Sequence, residues 1–285
     1  MRLAFRASLA GLICLPACVN TASAADILKL VQTIPLPRVE GRIDHMAFDA
    51  TGGRLFVAAL GNDTVEVIDV AAGKVAARIQ NLQAPQGIGF APDLTRLAVA
   101  NDKDGSVRLF DGKTLAPLKT IELKDDADNV RYDPAVRRFW VGYGDGGLAA
   151  IDLTNGEVLA DIKLEAHPES FQLEMKGPRI FVNVPHARHI AVIDRDKESI
   201  VAKWRVNEAE ANFPMALDEA DHRLFIGCRK PAMLLVLDTE TGKTVAAVGI
   251  VGDTDDLFYD AANKRIYVSG GDGRVTVLDQ SDADN

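Results

Sequence analysis

Acids and amides recur in this chain at one repeating offset. Asp44, Gln86, Asp128, Glu169, Phe213 and Asp255 each lie thirteen residues ahead of an apolar residue, namely Val57, Val99, Val141, Val182, Ile226 and Val268. The next position holds His45, Gly87, Asn129, Ser170, Pro214 and Asp256, and Asn212 precedes the fifth member. Residues at one offset of a repeat gather at one end of a repeating fold, so these are expected on a common rim. Carboxylates brought together repel, and they must be partly protonated, well hydrated or neutralised by a cation. A hard divalent cation such as Ca²⁺ takes oxygen ligands of this kind. Asp128, Asn129, Glu169, Asn212 and Asp255 are therefore the candidate cation ligands. Asp44, His45, Gln86 and Asp256 are further ligand-binding candidates. Arg229 and Lys230 could hold an anionic group above the acidic ring. The competing reading is that these polar residues cap strands and satisfy loop backbone groups, and the sequence leaves both open.

The elements that must position them follow from the same period. Arg54-Leu55-Phe56-Val57 returns as Arg96-Leu97-Ala98-Val99, Arg138-Phe139-Trp140-Val141, Arg179-Ile180-Phe181-Val182, Arg223-Leu224-Phe225-Ile226 and Arg265-Ile266-Tyr267-Val268. The steps from Val57 to Val268 are 42, 42, 41, 44 and 42 residues. Asp69, Asp111, Asp152, Asp194, Asp238 and Asp279 keep the same period and each closes a short apolar run. Several short strands in a repeat of this length are the mark of a β-propeller blade. Each repeat reads as four strands, A to D from the axis outward, separated by turns such as Gly61-Asn62-Asp63 and Ala72-Gly73. The recurring aspartates precede tight turns and read as turn caps.

The sixth repeat has no strand D of its own. Residues 29–36 resemble the missing strand, since Val-Gln-Thr-Ile-Pro-Leu at 31–36 parallels Leu-Lys-Thr-Ile-Glu-Leu at 118–123. This segment is expected to pair with the last sheet and cover its edge. The fold class is thus all-β, a propeller of four-stranded antiparallel blades. Six repeats allow a closed six-bladed ring or a seven-bladed one cut short at the C-terminus.

Residues 1–24 read as a signal peptide, with Arg2 and Arg6 before the short apolar stretch Ala7–Cys18 and Ala22-Ser23-Ala24 as the cleavage site. The alternative is a lipoprotein signal ending at Cys18. The stretch is too short to span a membrane. The expected product is a periplasmic or secreted, monomeric single propeller domain over 25–285. Of three cysteines only Cys228 remains in it, so it has no internal disulfide. Removing Arg2 and Arg6 leaves 30 basic residues against 41 acidic ones, a net charge of −11. That balance disfavours nucleic acid and anionic lipid as partners. No nucleophile elbow, phosphate loop, CxxC or HExxH motif is present.

The repeated second strand followed by an apolar-Asp-x-x-x-Gly-Lys third strand and turn, as in Val67-Ile68-Asp69 to Gly73-Lys74, resembles the YVTN (YncE-like) β-propeller repeat family of exported bacterial proteins. The resemblance covers nearly all of residues 28–285. It implies seven blades, a site at the loop face, and a protein that binds a partner or small ligand without chemistry. Some relatives bind single-stranded DNA, which the acidic balance disfavours here. The first functional reading is an exported, non-enzymatic binding or scaffold propeller. The alternative, by analogy with propellers of other families, is a cation-dependent hydrolase of lactones or related esters. There Asp128, Asp256 or His45 would act as general base.

Overall fold

A computed structural model describes residues 27–283. The residues assigned above to the signal peptide lie outside the described ones. Ile27–Val31 carry no regular structure, and a separate unit from Gln32 onward holds the propeller.

Among the described residues twenty-three strands form six antiparallel sheets arranged in a ring, a six-bladed β-propeller. Blade 1 contains β1 (Met46–Asp49), β2 (Arg54–Ala59), β3 (Thr64–Asp69) and β4 (Lys74–Ile79). Blade 2 contains β5 (Pro85–Ala91), β6 (Arg96–Asn101), β7 (Ser106–Asp111) and β8 (Pro117–Glu122). Blade 3 contains β9 (Ala127–Asp133), β10 (Arg138–Tyr143), β11 (Gly147–Asp152) and β12 (Val158–Lys163). Blade 4 contains β13 (Phe171–Leu173), β14 (Arg179–Val184), β15 (His189–Asp194) and β16 (Ser199–Arg205). Blade 5 contains β17 (Glu210–Asp218), β18 (Arg223–Lys230), β19 (Ala232–Asp238) and β20 (Thr244–Gly249). Blade 6 has three strands, β21 (Thr254–Asp260), β22 (Arg265–Gly270) and β23 (Arg274–Asp279).

The second strand of blades 1 to 5 is buried on both faces, which explains its nearly continuous apolar sequence. Each junction from blade 1 to blade 6 has its own apolar cluster. Phe139 and Val141 of blade 3, for instance, pack with Ala98 and Leu109 of blade 2, and Phe181 and Ile190 of blade 4 with Leu224 and Ile226 of blade 5. The recurring aspartates cap turns as expected. Asp111 Oδ1 accepts from the amides of Lys113 and Thr114 at 3.1 and 2.7 Å, and Asp238 Oδ1 from those of Glu240 and Thr241 at 3.1 and 2.8 Å. Asp279 instead receives Arg265 Nε at 2.7 Å. Cys228 is fully buried in β18, and burial pushes its thiol up to about 12.

One expectation is overturned. Residues 29–36 form no strand, and blade 6 keeps three. From Gln32 the chain runs beside blade 1, where Arg78 Nη2 donates to the Pro37 carbonyl at 3.0 Å. There Asn62 also exchanges two hydrogen bonds with the Glu40 backbone, at 2.6 and 3.1 Å. Pro35 and Pro37 lack the backbone N–H that a ladder needs, and a turn closes with Val39 N–H donating to Leu36 at 3.3 Å.

Candidate functional site

Every blade breaks its first ladder at the offset that carries the acids and amides. In blade 3, Ala127 pairs with Tyr143 and Val130 with Val141, so Asp128 and Asn129 together oppose one residue, Gly142. In blade 2 the register shifts across Gln86 and Gly87, in blade 5 across Phe213 and Pro214, and in blade 6 at Asp255. Blades 1 and 4 show the same bulge in their backbone bonds. Asp44 N–H donates to Ala58, whose own N–H donates to His45. Glu169 and Ser170 flank Asn183 in the same way. A bulge re-aims side chains out of the pleat. Here it brings both residues of the offset pair in blades 1, 3, 4 and 6, and Gln86 and Phe213 in blades 2 and 5, to the mouth of the channel.

The result is a cavity of about 870 Å³ lined by residues of all six blades and the segment just before blade 1. Asp44, His45, Gln86, Asp128, Asn129, Glu169, Asp255, Asp256 and Arg229 all line it. Two expected members do not. Asn212 is buried, donating to Asn183 Oδ1 of blade 4 at 2.9 Å, and Lys230 is exposed outside the lining.

Asp128 sits at the centre of this charge arrangement. His45 Nε2 lies 3.4 Å from its Oδ1, and His167 Nε2 lies 3.9 Å from its Oδ2. Asn129 Nδ2 donates to Oδ2 at 3.1 Å. The close approach of Gly87 makes room for this strand: a Cβ there would fall 1.7 Å from the Asp128 carbonyl oxygen. Burial alone would raise the Asp128 carboxyl, but the two imidazoles outweigh it and hold the group well below the carboxylate range. Conversely, burial would lower His167, yet Asp128, the Gly144 carbonyl and Asp126 raise it to about 9. The Nδ1–H of His167 donates to that carbonyl at 2.7 Å. His45 is raised by the same balance, burial opposing and Asp128 then Asp44 prevailing.

The neighbouring acids shift the other way. Burial, followed by repulsion from Asp128, pushes Glu169 up to about 7. Burial also raises Asp126 to about 6, with His167 opposing and Asp102 and Asp128 adding to the rise. Asp44 and Asp256 are raised chiefly by burial. The repulsion anticipated for converging acids is therefore met by shared protons and by imidazolium. Two arginines at the rim are already engaged, Arg42 with Asp44 at 2.8 Å and Arg229 with Asp255. Arg229 also stacks over the Phe213 ring at 4.1 Å.

His167 and Asp126 are absent from the sequence-based candidates. They share an offset two residues earlier, fifteen ahead of Val182 and Val141, which also holds Arg42 and Asp253. Reading that column would have found them. Arg131 was missed as well. It extends from β9 with Nη2 donating to Ser170 Oγ at 3.2 Å, and burial lowers its pKa.

Among the described residues no three His, Cys, Asp or Glu side chains are grouped so as to hold a metal ion. Asp128, Glu169 and Asp255 thus line one cavity without forming a coordination shell, and Asn212 faces elsewhere. The hydroxyl of Ser170 accepts from Arg131, and that of Ser269 donates to the Asp256 carbonyl at 3.4 Å. Neither of these lining hydroxyls is paired with an imidazole that could activate it.

No family profile matches the chain. Two curated proteins do, each described as uncharacterized protein YncE, from Salmonella typhimurium strain LT2 and from Salmonella typhi. Each is 23% identical over 225 residues, covering 73% of this chain and 63% of the relative. The match thus spans less than two thirds of the length of those relatives. Among the described residues no helix is long and apolar enough to cross a membrane. With six antiparallel blades in a ring, the similarity supports a β-propeller distantly related to YncE.

Proposed function

We propose that this protein is a non-catalytic binding propeller whose channel mouth takes a small cationic ligand. One observation carries the reading. The cavity is lined by nine carboxyl groups against two arginines, and both arginines are ion-paired to carboxyls of that same set. Burial raises Glu169 to about 7 and Asp126 to about 6, so Glu169 still holds part of a proton near neutrality and Asp126 takes one up just below, and an incoming cation can replace them. A polyamine, a primary amine or a divalent cation satisfies that chemistry. The Phe213 ring adds a face for a cation to rest against once Arg229 moves aside. We extend the proposal to location: the N-terminal segment directs export, and the propeller works in the periplasm or outside the cell.

The reading predicts that binding releases protons. Calorimetric titration with putrescine or CaCl₂ at pH 7, in two buffers of different ionisation enthalpy, should give different apparent heats. Affinity should fall as pH drops from about 7 toward 5, because Glu169 and Asp126 then keep their protons. Glu169→Gln should reduce the proton release. Binding of acetate, phosphate or sulfate in place of every cation would reverse the sign of the site and refute the proposal.

A further inference from the structure

The offset column that builds the channel mouth has one apolar member. Phe213 stands where the other blades place Asp44, Gln86, Asp128, Glu169 and Asp255. Blade 5 thus presents an aromatic ring between two blades that present carboxylates, Glu169 at the entry to blade 4 and Asp256 on β21 of blade 6. Both carboxylates are half-buried, and among the described residues no cationic side chain lies within ion-pair distance of either. Arg229, the nearest rim arginine, is already paired with Asp255. Asn129 of blade 3 offers a third acceptor. It is 1% exposed, and its Nδ2 donates to Asp128 Oδ2 at 3.1 Å. An ionised carboxylate only accepts, so that bond fixes which way the amide faces. Oδ1 is left without a hydrogen-bond donor among the described residues, open to one that arrives from the cavity.

These acceptors do not converge on one point. A calcium ion gathers about six to eight oxygens around itself, whereas no three acidic or imidazole groups among the described residues are grouped to hold a metal ion. Blade 3 and blade 6 face each other across a six-membered ring, and blade 5 separates Glu169 from Asp256. Between the two poles the charge reverses. His45 Nε2 lies 3.4 Å from Asp128 Oδ1, and His45 and Arg131 both act electrostatically on Asp256 as well as on Asp128. A positive charge lodged midway would face those two groups. A ligand charged at both ends and apolar in the middle avoids them and meets Phe213 instead. Given the cation site proposed above, we infer that its ligand is a linear α,ω-diamine. One ammonium is held by Glu169 with the Asn129 carbonyl, the other by Asp256, and the methylene chain lies against Phe213. The three N–H donors of an ammonium suffice for a carboxylate and an amide oxygen together.

Calorimetric titration of the whole protein with cadaverine, n-pentylamine, spermidine and CaCl₂ tests this. Cadaverine should bind at least about tenfold more tightly than n-pentylamine, which has the same carbon chain and one ammonium, and than CaCl₂. Spermidine should bind no more tightly than cadaverine despite its additional charge, because that charge falls in the middle. Asp256→Asn keeps the side chain's shape and should bring cadaverine down to the affinity of n-pentylamine. The monoamine should change little, since Glu169 can still hold its single ammonium. Glu169→Gln should do the same from the other pole, so the test survives if one variant fails to fold, which melting temperature reveals. Equal losses of cadaverine and n-pentylamine in both variants, or a spermidine affinity tenfold above that of cadaverine, would overturn the two-pole arrangement. Tighter binding of CaCl₂ than of cadaverine would overturn the diamine assignment and leave the cation site standing. No binding of any of the four would remove both.

Discussion

Replacing Asp128 with asparagine removes the anion that both imidazoles share and leaves the side chain nearly isosteric. The loss should depend on pH in a definite direction. His167 is raised from 6.5 to about 9 in the folded chain. A raised histidine contributes stability that is complete below about pH 6.5 and is gone above about pH 9. At about 1.4 kcal/mol per tenfold change in proton affinity, the full rise corresponds to about 3 kcal/mol. Asp128 is one of several causes, and the His167 side chain is 20% exposed, so solvent screening brings its share to about 2 kcal/mol. Relief of repulsion on Glu169 and Asp126 acts at the alkaline end and makes the variant less costly there. Asp128→Asn should therefore lower stability by about 2 kcal/mol more at pH 6 than at pH 9.5. Urea unfolding at the two pH values measures the difference. A ring-proton NMR titration should show the His167 pKa falling toward 6.5 in the variant. Equal destabilisation at both pH values, or an unchanged His167 titration, would refute the assignment of Asp128 as the shared anion.

Other outcomes follow from single contacts. Gly87→Ala places a methyl where only 1.7 Å separates it from the Asp128 carbonyl oxygen; it should cost several kcal/mol and weaken cation binding together, measured by melting temperature and calorimetry. Glu66→Ala strands Arg78, which now donates to that buried carboxylate at 2.6 and 2.9 Å; a loss of about 3 kcal/mol in urea unfolding is expected. Phe139→Ala opens a cavity in the junction between blades 2 and 3 and should cost about 3–5 kcal/mol, again by urea unfolding.

The repeat made the fold readable because each blade solves the same packing problem with the same residues. Phe56, Trp140, Phe181 and Phe225 fall at one register position and all are buried, so a single period exposes both strand and core. The segment at 29–36 failed for a local reason. Its likeness to 118–123 concerns side-chain pattern, while pairing needs backbone donors that Pro35 and Pro37 do not have. The cavity residues were legible as a column, since a shared offset implies a shared end of the ring. Their partnerships were not. Nothing in the sequence says that Asn212 turns toward Asn183 of blade 4, or that Arg229 spends its charge on Asp255. Those contacts depend on side-chain direction at a bulge, which a one-residue difference reverses.

That bulge also links the fold to the proposed function. A regular first strand would alternate its side chains between the two neighbouring blades, leaving none to point along the channel. By setting two residues against one, each blade gives up part of a ladder; blades 1, 3, 4 and 6 thereby turn a polar pair toward the mouth, blade 2 adds Gln86 and blade 5 adds Phe213. Four blades bring acids there at once, so the acids meet whether or not each is favoured alone. Their electrostatic cost is met locally by His45 and His167 on Asp128 and by protons on Glu169 and Asp126. The surrounding clusters of apolar residues hold that arrangement rigid. The carboxyl protons are the exchangeable part. A cation that displaces them removes repulsion the rim otherwise bears, so ligand binding and stability of the rim should rise together.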